Sequence, residues 1–259
     1  MFFRSRYEAK VTEFARFSRI FDRYGFCLVR GFLTPDVASR ISRRLETNLA
    51  ALRPVFPDYD TNAWKMVYSL AVAFSEGDAS LASRILAAGS RQWYAAISSD
   101  ERERIWREVG HMLDSPLVSS LRHRSKPGRF KWHEVENFAR WEKARPNTGE
   151  LQGLYKHQDG ALDLYPEGSI TVWIALTECG RDAPSVEFLP RRFNGKVINQ
   201  HDPSLSYVAA EQFPQRTWVR PIFKPGDAVL FDSWTVHGTV SLPTMTRHRC
   251  SLDLRLVPA

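Results

Sequence analysis

Two stretches late in the chain alternate strictly. Ile170, Val172, Ile174 and Leu176 place aliphatic side chains at every second position, with Thr171, Trp173 and Ala175 between them. Cys250, Leu252, Leu254 and Leu256 repeat the pattern, interleaved with Arg249, Ser251, Asp253 and Arg255. Successive side chains of an extended chain point to opposite faces, so a period of two commits both stretches to strands with one apolar face. Shorter runs at Val186–Leu189 and Ala228–Phe231 read the same way. Turn signals at Pro146–Gly149, Cys179–Pro184 and Lys224–Asp227 punctuate them. Several short strands separated by turns point to a closed β layer, a barrel or jelly roll.

The first half has a different period. Glu8 to Arg23 carries Val11, Phe14, Phe17, Ile20 and Phe21 at helical spacing, and Gly25 stops it. Phe26–Arg30, between Gly25 and Gly31, reads as a short buried strand. Thr34-Pro35 opens a helix with an N-cap and a proline at the first helical position, and Val37, Ile41, Leu45 and Leu49 form its apolar stripe. Residues 52–62 read as a loop. Further helices are expected over Leu81–Ile97 and Glu101–Leu113, the second opened by a capping box at Ser98 and Glu101. A short one is expected from Ser115-Pro116 toward Leu121. The expected architecture is mainly β with helices: residues 1–127 as mostly helical support, residues 128–259 as the jelly-roll core, together one domain.

Composition narrows the setting. The three cysteines, Cys27, Cys179 and Cys250, are scattered, with no Cys-x-x-Cys pair. Neither a disulfide framework nor a thiolate zinc site is indicated, and a reducing, cytoplasmic setting is expected. Met1 to Arg6 has no apolar core of signal-peptide length, and no apolar run is long enough for a membrane span. The 36 Lys and Arg against 29 Asp and Glu leave a formal charge of +7. Such a surface attracts anionic partners. Its densest patch, Arg122–Lys131, is short and contains Pro and Gly, too little for a nucleic-acid site.

The residues that carry chemistry are Tyr155–Gly160 and, far downstream, Ser233–Gly238. On a strand over Leu154–Asp159, His157 and Asp159 face one way and Gln158 the other. His237 would complete two histidines and one carboxylate, a facial set that suits non-haem Fe(II) and leaves positions open opposite. Seven histidines make a chance His-x-Asp match common, so the motif gains weight only from its surroundings.

Those surroundings resemble the phytanoyl-CoA dioxygenase family of Fe(II)/2-oxoglutarate oxygenases. Tyr24–Leu33 is similar to the family's opening strand, His157–Gly160 to its first metal motif, and Val172–Leu176 to the Trp-bearing strand that follows. Lys224–Phe231 is similar to the turn and strand before the distal histidine, and Arg249-Cys250-Ser251 to its last-strand Arg-x-Ser. Pro190-Arg191-Arg192-Phe193 departs from the family's usual Pro-Gly-Ser-His. The resemblance implies a double-stranded β-helix, a cupin-like jelly-roll barrel buttressed by N-terminal helices. It implies iron held by His157, Asp159 and His237, with O2 and 2-oxoglutarate as co-substrates.

The same resemblance assigns Arg249 to the distal carboxylate of 2-oxoglutarate, a match of guanidinium fork to carboxylate. Ser251 and Thr239 are candidate hydroxyl donors, and Gln158 and Trp173 occupy positions associated with the co-substrate pocket. Lys65 weakly matches a lysine reaching in from the helical half, with an exposed helical lysine as the plainer reading. Arg191, Arg192, Asn137, His133 and Trp141 are candidates for substrate contact by position alone.

The implied activity is hydroxylation, or another oxidation, of an unactivated C–H bond in a small molecule, anionic or linked to a carrier protein. A carboxylate at Asp159 argues for hydroxylation over halogenation. The rivals are an oxidative nucleic-acid dealkylase, which Arg249 and Arg255 would suit by their spacing of six, a cupin-like metal enzyme without redox chemistry, and a non-catalytic binding module. The strand and turn motifs disfavour nucleic acid as the partner.

Overall fold

In the computed structural model, the residues described are 5–52, 65–75, 78–113, 115–123, 130–133, 137–142, 156–162, 165–214 and 217–259. The expected loop at 52–62, except Leu52 at the end of a helix, the turn at 146–149 and most of the Arg122–Lys131 patch lie outside them.

The two alternating stretches become neighbours. Strand β10 (Arg249–Pro258) pairs antiparallel with β6 (Ile170–Ala175), with Ser251 opposite Ala175, Asp253 opposite Trp173 and Arg255 opposite Thr171. They form the centre of a large sheet. On one side β6 leads to β8 (Ala228–Asp232), then β2 (Phe26–Arg30) and β1 (Glu8–Lys10). On the other, β10 leads to β5 (Phe138–Glu142) and β3 (Lys65–Ser69), and β4 (Phe130–Trp132) also pairs with β10. A second, smaller layer is the antiparallel pair β7 (Ser185–Phe188) and β9 (His237–Val240). Single bridges extend it: Val219 beside Phe188 on one edge, then His157 beside His237 and Tyr207 beside His157 on the other.

The alternation decides which layer each side chain meets. Val172, Ile174, Leu230, Cys250, Leu252, Leu254 and Leu256 join one core with Ile41, Leu45, Leu81, Ile85, Trp93 and Val109. These last six come from α2 (Pro35–Leu52), α4 (Ala79–Ala96) and α5 (Ser99–Leu113), packed on the outer face of the large sheet. Trp173, Ala175, Phe231, Val186 and Phe188 pack between the two sheets. Each fully buried aliphatic or aromatic side chain contributes about 1.5–3 kcal/mol, so both strand faces are paired with partners and no register slip preserves them.

The helix ends follow their sequence signals. The backbone N–H of Ser98 donates to the Glu101 carboxylate at 2.7 Å, and the Glu101 N–H returns to the Ser98 hydroxyl at 3.3 Å. Helix α6 (Pro116–His123) starts at Ser115, whose hydroxyl accepts from Val118 N–H at 3.2 Å. Leu70–Phe74 forms a short helix, α3.

Two expectations are corrected. The first helix, α1 (Phe14–Tyr24), begins six residues later than its apolar spacing suggests. Residues 8–10 instead form β1, parallel to β2, because Arg30 reaches across to Glu8 at 2.5 Å and the Leu28 N–H donates to the Tyr7 carbonyl at 2.9 Å. Lys65 lies on β3, opposite Glu142, and not on a helix. Gly25 does end α1, in the left-handed conformation at φ 79°, where a side chain would meet Thr235.

Candidate metal centre

The site sits between the two sheets. His157 and His237 face each other across an antiparallel bridge: His157 N–H donates to the His237 carbonyl at 2.9 Å, and His237 N–H to that of His157 at 3.0 Å. That exchange puts both imidazoles on one side, with ring centres 4.3 Å apart. The strand expected to run on to Asp159 stops short. A 3-10 turn, Asp159–Leu162, begins there, held by Gly160 N–H on the Ser233 carbonyl at 2.8 Å. Gly160 is packed against the Trp234 ring, where an added methyl would lie 3.1 Å from ring carbons. The turn carries the Asp159 carboxylate back toward the imidazoles.

Asp159 Oδ1 lies 3.5 Å from His157 Nε2 and 3.7 Å from His237 Nε2. The ligand atoms of all three buried residues lie within 4.8 Å of one another. The tautomer of His237 follows from its partner: Nδ1 is 3.0 Å from the Thr235 carbonyl, which only accepts, so Nδ1 carries the proton and Nε2 is the ligand atom. Burial, aided by His157, pushes the His237 imidazole down to about 4, so it is neutral at physiological pH. Burial would raise the Asp159 carboxyl, but Arg255 and the two imidazoles outweigh it and hold the group well below its ordinary value.

The cavity beside these ligands is lined from the large sheet by Trp173, Phe231, Arg249, Asp253 and Arg255, and from the small one by Val186, Gly238 and Thr239. Arg249 is only 1% exposed; its guanidinium donates to the Ser185 carbonyl at 3.2 Å and lies over the Trp173 ring. The Ser251 hydroxyl, two residues on along the same strand face, is buried and has no hydrogen-bond partner among the described residues. A buried guanidinium beside an unsatisfied hydroxyl fits a carboxylate ligand. Two imidazoles and a carboxylate fit ferrous iron.

Of the residues singled out from sequence, the structure therefore brings together His157, Asp159, His237, Arg249, Thr239 and Trp173, with Ser251 behind them. Gln158 is elsewhere. Its amide donates to the Gly195 and Trp234 carbonyls and accepts from Val197 N–H, away from the cavity. Arg191 is exposed over the Phe193 ring, and Arg192 donates to the Asp22 carbonyl, so neither lines the cavity. Asn137 donates to His133 and accepts the Arg255 backbone N–H at 2.9 Å, a supporting position under β10. Trp141 is on β5, opposite Cys250, and the side chains of Trp141 and Lys65 are outside the description. Sequence reading did not single out Thr171, whose hydroxyl donates to Asp159 Oδ2 at 2.6 Å, or the pairing of Arg255 with that oxygen. Their parity is visible in the sequence: Thr171 shares the strand face of Trp173, and Arg255 that of Arg249.

The profile described as phytanoyl-CoA dioxygenase matches residues 21–241, an interval that runs from α1 through both metal-site segments to the end of β9. The chain belongs to the phytanoyl-CoA dioxygenase family. It is a non-haem Fe(II)/2-oxoglutarate-dependent oxygenase, with Fe(II) as its metal and 2-oxoglutarate and O2 as co-substrates. No curated protein sequence matches it.

Solved structures match in fold at low identity. EctD from S. alaskensis, with 2-oxoglutarate and 5-hydroxyectoine, is 18% identical with a TM-score of 0.52, covering 94% of this chain and 75% of that one. The nickel complex of the non-haem monooxygenase ThoJ is 15% identical with a TM-score of 0.54, covering 93% and 77%. AviO1 from Streptomyces viridochromogenes Tue57 is 13% identical with a TM-score of 0.52, covering 95% of both chains. These likenesses place the two layers in the cupin-like jelly-roll class, buttressed by helices. No helix among the described residues is long and apolar enough to cross a membrane.

Proposed function

We propose that this oxygenase hydroxylates, or otherwise oxidises, an unactivated C–H bond of a small anionic or carrier-linked metabolite, using His157, Asp159 and His237 to hold iron and Arg249 to seat 2-oxoglutarate. The observation that carries the reading is the arrangement of one cavity: three convergent ligand atoms on one side and the buried guanidinium of Arg249 on the other. When bound, iron and 2-oxoglutarate supply the oxidant, through oxidative decarboxylation of the keto acid by O2 to succinate and carbon dioxide.

The protein's part is placement. Arg249 pairs its fork with the far carboxylate of the keto acid, Ser251 adds a hydroxyl donor from the same strand, and Thr239 adds one from β9 in the facing sheet. Trp173, under the Arg249 guanidinium, fixes its plane by cation–π contact at 5.4 Å. Phe231 and Val186 close the cavity with apolar surface and exclude water. The formal charge of +7 supports an anionic substrate.

The test is succinate formation with Fe(II) and 2-oxoglutarate across a panel of carboxylates, phosphates, coenzyme A thioesters and carrier-bound acids, with Asp159→Ala as control. Substrate-stimulated succinate that vanishes in the variant is the expected result. Equal turnover in the variant would refute the ligand assignment.

A further inference from the structure

The Asp159 carboxylate has two oxygens in different surroundings. Oδ1 faces the imidazoles at 3.5 and 3.7 Å. Oδ2 accepts the Thr171 hydroxyl at 2.6 Å and faces Arg255 Nη2 at 3.4 Å. Thr171 and Arg255 are direct cross-strand partners on β6 and β10, with side chains on the inner face. One rung of the central sheet thus delivers a hydroxyl and a guanidinium to a single oxygen atom.

The rung is itself held in place. Arg255 is 3% exposed, its Nη1 donates to the Leu254 carbonyl at 3.2 Å, and its guanidinium lies 4.6 Å from the centre of the Tyr165 ring. The backbone N–H of Arg255 donates to Asn137 Oδ1.

From this arrangement we infer that Arg255 is a positioning residue: with Thr171 it engages Oδ2 and restricts Asp159 to a single bond to the metal. The inference rests on the ligand assignment proposed above and adds a role for residues outside the triad. A six-coordinate ion with three protein ligand atoms keeps three positions open. A keto acid chelating through two atoms and one O2 require all three. A carboxylate free to turn would bind through both oxygens, occupy a fourth position and compete with the co-substrate. Hydrogen bonds to the second oxygen of a ligating carboxylate orient it, as outer contacts of metal ligands do generally.

The test uses the full chain loaded with Co(II), whose visible absorption reports coordination number, with wild type, Arg255→Gln, Arg255→Lys and Thr171→Val. Metal affinity and 2-oxoglutarate affinity are titrated separately. A role in coordination predicts a split: in Arg255→Gln the affinity for 2-oxoglutarate falls roughly tenfold or more, while Co(II) affinity escapes the about tenfold loss usual for a lost outer contact, because the second carboxylate oxygen now binds the ion. The cobalt spectrum before 2-oxoglutarate is added also changes, because a second carboxylate oxygen takes the place of a solvent ligand. Arg255→Lys and Thr171→Val change in the same direction by less, and carry the test if Arg255→Gln does not fold. Joint loss of both affinities, as from a loosened site, overturns the inference, as does no change in either. If wild type itself binds cobalt but no 2-oxoglutarate, the co-substrate assignment fails and the inference falls with it. If wild type binds no cobalt, the ligand assignment itself has failed.

Discussion

The carbonyl oxygen of Thr235 accepts the Nδ1 proton of His237 at 3.0 Å. The same residue's hydroxyl lies 2.8 Å from both the Gly25 carbonyl and the Asp232 carboxylate. Thr235 therefore links the end of α1 to the orientation of a ligand ring.

Thr235→Val keeps the shape of the side chain and removes that link. Thr235 is wholly buried, so the Gly25 carbonyl is left without this donor, at a cost of about 1–3 kcal/mol. The carbonyl that orients the His237 ring is main chain and survives the substitution, so metal affinity falls by less than the roughly tenfold that loss of such an outer contact costs. Urea denaturation of the metal-free protein and calorimetric titration with Mn(II) measure the two effects separately.

Asp159→Ala removes a ligand and also the strongest negative neighbour of Arg255. With Asp253 as its remaining negative neighbour, the buried guanidinium costs up to about 3–5 kcal/mol, more than deletion of the His157 side chain. Adding Arg255→Met to Asp159→Ala recovers much of the loss, and a double-mutant cycle by chemical denaturation gives the coupling.

Acid destabilises the metal-free protein in two stages. The His237 imidazole titrates near 6.5 when unfolded and at about 4 when folded, so the unfolded chain binds more protons between those values. Stability therefore falls as pH drops from about 6.5 to 4, by up to about 3 kcal/mol from this group. Asp159, held below its ordinary value, has the same sign and contributes its loss at still lower pH. Denaturation midpoints at pH 7, 5.5 and 4.5, with and without metal, check the first stage; His237→Phe flattens it.

Gly226→Ala tests the turn before β8. Gly226 has φ 89°, and an added methyl would lie 2.2 Å from the Leu33 carbonyl oxygen. That turn is also fixed by Asp227, which accepts Lys224 N–H and Gly31 N–H at 3.0 Å and pairs with Arg30 at 2.7 Å. The expected cost is more than about 2 kcal/mol, read from thermal or urea melts.

The central sheet was legible because Cys250, Leu252, Leu254 and Leu256 have a partner layer that rewards strict alternation. The same parity placed Arg249, Ser251 and Trp173 on the inner face. His157 and Asp159 were found for a partly mistaken reason: the chain turns at Gly160, and the carboxylate arrives by a 3-10 turn instead of by a pleat. Glu8–Lys10 read as helix because Val11 and Phe14 continue the apolar spacing, while the Arg30–Glu8 contact that makes them strand joins residues distant in sequence. The family resemblance alone associates Gln158 with the co-substrate pocket. Its actual partners, Gly195, Val197 and Trp234, lie 37 to 76 residues away, beyond any local pattern.

Gln158 thus joins the ligand-bearing turn to the long insert between β7 and β8 through a single side chain that donates to the Gly195 carbonyl and accepts the Val197 N–H. Main-chain contacts of this kind constrain the path of the insert at Gly195 and Val197 but make no demand on its side chains. Substitutions at those two positions therefore leave the joint between the insert and the metal-gripping turn in place, because it is made by peptide groups that every residue type but proline carries.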